Sequence, residues 1–152
     1  MRMKLLMVAV IAALGTAFCS CDKKNETTPS SIFSFKLDGV QYQSNATEAY
    51  ITDTIYTGKK TLVLDGVTNN FGHHMELMIT FPDSLKTGTY TEDVEMSLMN
   101  IQEKETGYVG KSIKVIITGI NSKHAEGSFS GVLINGETEK PLTDGTFKVA
   151  IY

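Results

Sequence analysis

An all-β domain is the fold class that this sequence predicts, built as an antiparallel β-sandwich of about nine or ten short strands. Three observations point to it. From Ile32 onward, apolar residues recur at every second position in one short segment after another. Turn pairs separate these segments, among them Asp38-Gly39, Thr57-Gly58, Asn69-Asn70 and Asn135-Gly136. No stretch past the first 31 residues carries a useful helical period. Such strands close as a sandwich or as a barrel, so the alternative is a flattened lipocalin-like β-barrel.

Each element follows from its residues. Phe33, Phe35 and Leu37 alternate with Ser34 and Lys36, and after the Asp38-Gly39 turn Val40 and Tyr42 resume the pattern. The segment Tyr50 to Tyr56 is rich in β-formers and ends at a turn around Gly58. Thr61 to Val67 reads as a strand with a glycine bulge at Asp65-Gly66. Met75, Leu77, Ile79 and Phe81 alternate strictly until Pro82, which cannot donate to a ladder. Val94, Met96 and Leu98 alternate, and Glu103 to Gly107 turns the chain. Ile113, Val115 and Ile117 follow, with Gly119 near the strand end. Gly127, Phe129, Gly131 and Leu133 share one face, and Phe147, Val149 and Ile151 close the chain pointing inward. Val63-Leu-Asp-Gly66 echoes Ile116-Ile-Thr-Gly119, which suggests two hairpins needing the same glycine bulge.

The N-terminus has a different logic. Arg2 and Lys4 precede an apolar run from Leu5 to Phe18, too short for a bilayer span of roughly 20 residues. This is the pattern of a signal peptide over residues 1–20. The stretch before Cys21 resembles a bacterial lipobox, with small Ser20 at the cleavage position and Phe18 where leucine is commonest. The resemblance implies lipidation at Cys21. Cys19 is then removed, and no disulfide or free thiol remains in the mature chain. Residues 21–31 are polar, contain Pro29 and read as a flexible tether to a single domain over 32–152. Removing Arg2 and Lys4 from 14 basic residues leaves a mature chain near net charge −5 against its 17 acids. That balance argues against nucleic-acid binding, which needs clustered Lys and Arg.

Phe33-Ser-Phe35-Lys-Leu37-Asp-Gly39, Thr87-Gly-Thr-Tyr90, Glu126-Gly-Ser-Phe-Ser-Gly131 and Asp144-Gly-Thr-Phe-Lys-Val149 are spread along residues 32–152. Together they resemble small uncharacterised all-β lipoproteins of Bacteroidota. The resemblance implies an address, the cell envelope at the outer membrane, and no catalytic residues. Surface-exported members carry an acidic cluster after the lipidated cysteine. Here Asp22 is followed by Lys23 and Lys24, so both the periplasmic and the surface face stay open. The phylum also O-glycosylates Asp-Ser/Thr followed by an apolar residue. Asp53-Thr54-Ile55 and Asp83-Ser84-Leu85 match, making Thr54 and Ser84 candidate acceptors.

The residues offer little chemistry. His73-His74 is the most conspicuous ligand pair, but neighbours on a strand point to opposite faces and no further ligand stands at metal spacing. The plainer reading is a solvated turn, and His124 reads the same way. No Gly-x-Ser-x-Gly elbow, phosphate loop or EF-hand loop occurs. Glu92, Asp93 and Glu95 read as solvated carboxylates. The expectation is a protein without enzymatic activity, cofactor or metal. Met78, Met99 and Ile116, with Ile101, fall on the face opposite the core residues and form a candidate partner patch. The bland alternative is scattered exposure. The expected partners are the membrane, through the lipid anchor, and an envelope protein or glycan. The alternative function is that of a lipocalin-like carrier of a small apolar ligand.

Overall fold

The computed structural model describes residues 31–103 and 107–152. The signal peptide, Cys21, nearly all of the tether and the centre of the Glu103–Gly107 turn lie outside the described residues. Ten strands are present: β1 (Ile32–Leu37), β2 (Val40–Ser44), β3 (Glu48–Thr52), β4 (Lys60–Val67), β5 (His73–Phe81), β6 (Gly88–Tyr90), β7 (Val94–Asn100), β8 (Gly107–Ile120), β9 (His124–Asn135) and β10 (Thr138–Ala150). All pairings are antiparallel, and there is no helix among the described residues. The expectation of an all-β domain of nine or ten strands is met.

The strands form one sheet in the order β2-β1-β10-β9-β8-β7-β5-β4-β3, with β6 pairing β8 off this path. The sandwich and barrel alternatives therefore converge on one curled sheet, a half-barrel whose facing halves are continuous. Each hairpin neighbour in sequence is a neighbour in space, and β1 is joined to the last strand. The two edges are drawn toward each other. Asn69 N–H, after β4, donates to Gln43 C=O of β2 at 2.8 Å, and Tyr152 N–H donates to Ala49 C=O of β3 at 3.1 Å.

Curvature comes from bulges in the longest strands. The β8–β9 register shifts between Gly110 and Ser112 and again between Ile117 and Gly119. On β10 it shifts between Leu142 and Gly145. Each inserted residue bends and twists its strand. Gly119 thus marks a bulge as its position suggests. Asp65-Gly66 does not, because Asp65 pairs Glu76 and Gly66 pairs Met75 in unbroken register. Gly66 is small for another reason: a Cβ there would stand 2.9 Å from Ser44 Oγ, where β2 crosses close to β4. The echoed sequence therefore does two different jobs.

The inner face is one apolar cluster. Phe33, Phe35, Leu62, Leu64, Met75, Leu77, Ile79, Val115, Ile117, Leu133 and Leu142 are all nearly or fully inaccessible. Phe129 centres an aromatic group, with ring centroids 5.6 Å from Phe33, 6.0 Å from Phe35 and 6.5 Å from Phe147. Side chains therefore fill the centre of the half-barrel. Beyond Thr52 the β-rich segment leaves the sheet and folds over the outer face. The Tyr56 hydroxyl donates to Glu95 Oε1 at 2.6 Å, crossing from the loop before β4 to β7. Val63, on the outer face between Tyr50 and Met78, is only 1% exposed.

Candidate functional site

The two ends of the half-barrel differ. β1 enters at Ile32 and runs to Leu37, so the chain arrives at one end and the Asp38-Gly39 turn stands at the other. Both turn residues have positive φ, 52° and 79°, a pairing that suits a two-residue hairpin. Register places the β4–β5, β7–β8 and β9–β10 turns at this far end too.

A ring of polar-tipped side chains caps the core there. Tyr42 pairs Phe35 across β1–β2 and stacks on it at 5.4 Å. His73, first residue of β5, meets Tyr42 edge to face at 5.1 Å. His73 is paired with Asn100, and Tyr108 with Leu98. Lys140 pairs the buried Leu133, and its Nζ lies 5.0 Å from the Tyr108 ring centroid. Hydrogen bonding to the Tyr108 phenol raises the Lys140 ammonium above its ordinary range, with Asp38 and Tyr42 close enough to add to the effect. Lys140 is thus cationic at neutral pH. It has no carboxylate ion pair among the described residues, unlike Lys36, Lys59, Lys111 and Lys148. His73 Nδ1 is buried without a hydrogen-bond partner among the described residues.

Val40, two residues before Tyr42 on β2, is 57% exposed at this end. Val109, 50% exposed, pairs Ser97 on the outer face, and Phe71, 78% exposed, lines an outer groove with Glu48, Asp65 and Val67. Phe71 holds φ = 57°, a left-handed conformation unusual for a bulky residue. Its turn is tightly bonded. Phe71 N–H donates to Thr68 C=O at 2.7 Å, Gly72 N–H to Asn70 Oδ1 at 3.1 Å, and Ile101 N–H to Gly72 C=O at 3.1 Å. The turn presents an aromatic side chain to solvent on a rigid support, at the expense of local strain.

The histidine pair does not form the solvated turn that its sequence suggests. Both residues lie within β5 and are half-buried. They point to opposite faces as alternation requires: His73 into the mouth, His74 outward onto Asp65, with Nε2 and Oδ1 2.8 Å apart. No hydroxyl bonds the His74 ring among the described residues, so nothing extends the pair into a nucleophilic triad. His124 opens β9 and bonds Asn121 at 2.9 Å. No group of three potential metal ligands gathers among the described residues. Asp93 is paired with Lys59 at 2.9 Å, and Glu95 accepts from Tyr56, so these two carboxylates hold the loop around Gly58 in place.

Met78, Met99 and Ile116 lie on the outer face, as alternation requires, but on separate rungs. Met78 stands between Val63 and Glu95, Met99 between His74 and Gly107, and Ile116 between Thr89 and Ser128. They share no cross-strand neighbour, and the Tyr56 loop already crosses Met78's rung. Thr54 and Ser84 are both exposed, on loops at the end where the chain enters. That end also carries a groove of about 910 Å³ on the outer face, walled by Ile32, Ile120, Lys123 and Lys148. The mouth ring went unseen in the sequence because Tyr42, His73, Tyr108 and Lys140 come from four strands spread over almost a hundred positions. The available signal was polar-tipped residues occupying inward positions at strand ends. Compared with protein-family models, curated proteins and solved structures, the chain matches none of them.

Proposed function

We propose that this protein is a non-catalytic binding module of the cell envelope, lipid-anchored through Cys21 at the outer membrane, which engages its ligand or partner with the mouth of the half-barrel. The carrying observation is the segregation of the two ends. The chain enters at Ile32, whereas Tyr42, His73, Tyr108 and Lys140, with the exposed Val40, stand at the opposite end. A flexible tether of ten residues has a root-mean-square reach of roughly 17 Å. It would hold the entry end near the bilayer and turn the mouth away from it.

The carrier reading draws support from the up-and-down order, with β1 closing on β10. The phenylalanine cluster opposes it by occupying the space an enclosed apolar ligand would need. Two measurements test the proposal. Cys21→Ala should abolish incorporation of labelled palmitate and release the protein from the membrane fraction. A benzophenone attached at Val40→Cys in living cells should give a discrete heavier adduct, and the same probe at Asn121→Cys, on the anchor side, should not. Equal labelling from both positions, or none from Val40→Cys, would defeat the mouth as the binding surface.

A further inference from the structure

We infer that the groove at the end where the chain enters seats the domain on the anionic lipid surface to which Cys21 tethers it; this rests on lipidation at Cys21 and not on the mouth. The groove encloses about 910 Å³. Ile32 and Ile120 supply apolar wall, and Lys123, His124, Glu126 and Lys148 its charged and titratable groups. Ile32 is 37% exposed although it opens the first strand. It is also the residue from which the chain leaves for the anchor. Ten residues, Asp22 to Ser31, stand between it and Cys21. A chain of that length spans at most about 35 Å, and about 17 Å root-mean-square. A bilayer holding the acyl group therefore lies within that distance of a wall of the groove. So short a linker sets an effective concentration on the order of millimolar. A contact too weak to recruit a free protein is then enough to orient a tethered one.

The groove's chemistry suits phospholipid. Lys123 stands in the β8–β9 turn, and its backbone is fixed on both sides. Its N–H donates to Asn121 Oδ1 at 2.7 Å, and its C=O accepts from Ile151 N–H at 2.7 Å. Its ammonium has no carboxylate partner among the described residues. The Lys148 side chain is 78% exposed and meets Glu126 only at 3.7 Å. Two ammonium groups against one carboxylate make the groove locally basic on a chain that is acidic as a whole. The His124 ring is engaged with Asn121 at 2.9 Å. A phospholipid offers phosphate oxygens to Lys123 and Lys148, and the lysine stems with Ile32 and Ile120 meet the apolar region just below. A free anion would leave the isoleucines in water, and a neutral apolar ligand would leave Lys123 unpaired.

The test uses the chain from residue 21, whose single cysteine couples it to maleimide-bearing vesicles. The vesicles are phosphatidylglycerol mixed with phosphatidylcholine, or phosphatidylcholine alone. Acetylation of each lysine is followed by peptide mass spectrometry. Coupling to the anionic vesicles should slow acetylation of Lys123 and Lys148 at least fivefold. Lys111 and Lys140, which flank Leu133 near the β9–β10 turn, should react as in the uncoupled protein. The protection should fade in about 1 M salt, where the Debye length is about 3 Å. Lys123→Glu should restore the reactivity of Lys148. The inference falls if all four lysines slow alike, if none does, if neutral vesicles protect equally, or if Lys123→Glu leaves Lys148 protected. Protection of the uncoupled protein that grows with its own concentration would assign the groove to a second copy and overturn it. Palmitate labelling in cells reads lipidation separately. A protected groove without palmitate incorporation would keep the lipid-binding surface and remove the Cys21 anchor.

Discussion

Phe129→Ala probes the centre of the fold. The ring is 4% exposed and has three aromatic neighbours with centroids 5.6, 6.0 and 6.5 Å away. Its surroundings cannot easily collapse into the space it leaves. One wall is Gly145, where a Cβ would stand 2.7 Å from the Phe129 ring, and this residue has no side chain to move in. Phe→Ala substitutions in cores cost about 3–5 kcal/mol, more where the cavity persists, so about 4 kcal/mol is expected here. With an unfolding entropy of about 2.1 cal/mol/K per residue over roughly 120 residues, the melting temperature should fall by about 16 °C. Urea denaturation followed by far-UV circular dichroism reads the change, with an unaltered m-value showing that only stability moved. Phe71→Ala is the control, since that ring is 78% exposed and should cost less than about 0.5 kcal/mol. A loss under about 2 kcal/mol at Phe129, or similar losses at both positions, would refute the view that this aromatic cluster fills and supports the half-barrel.

Other expectations follow from the same geometry. Gly127→Ala should destabilise by more than about 2 kcal/mol in the same titration, because its Cβ would lie 2.4 Å from the Ile116 carbonyl oxygen and 2.7 Å from Phe147 Cζ; a neutral result would contradict the close approach of β9 to its neighbours. Phe71→Gly should hold its urea midpoint, since relief of left-handed strain worth about 1–2 kcal/mol offsets the roughly 0.5–1 kcal/mol entropic cost of glycine. A loss above about 1 kcal/mol would show that the exposed ring is structural. Burial raises the Tyr90 phenol above its usual range, and its hydroxyl donates to Lys86 C=O at 2.8 Å. The folded state therefore favours the neutral phenol. That contribution is complete below about pH 10, the unfolded value, and is lost as pH climbs through the higher folded value. Tyr90→Phe should be somewhat less stable at neutral pH and should show a shallower alkaline decline; parallel stability curves would count against it.

Local chemistry made some of this protein legible and not the rest. Alternation alone placed Phe33, Phe35, Met75, Leu77, Ile79, Val115, Phe129 and Phe147 inward, because a period of two leaves each side chain only one buried face. Asp38-Gly39 and Asn135-Gly136 announced their hairpins through the positive φ that those turns require. The Asp65-Gly66 bulge was misread because a glycine may serve either backbone bending or close approach, and only the nearness of Ser44 separates the two. The histidine pair was misread because a turn beside Gly72 and a strand beginning at His73 look alike in sequence.

The all-β class, the main strands and most inward residues depend on contacts between near neighbours along the chain, which makes them readable from it. That ten strands of the described residues share one curled sheet emerges only in three dimensions. Folding also separates Met78, Met99 and Ile116 onto different rungs and gathers Tyr42, His73, Tyr108 and Lys140 at one end. Those outcomes depend on register and on bulges at Lys111, Thr118 and Asp144, which shift strands by single residues against partners far away in sequence. A shift of one residue turns a side chain from one face to the other, so the composition of a site built from four strands is set only once the whole sheet has closed.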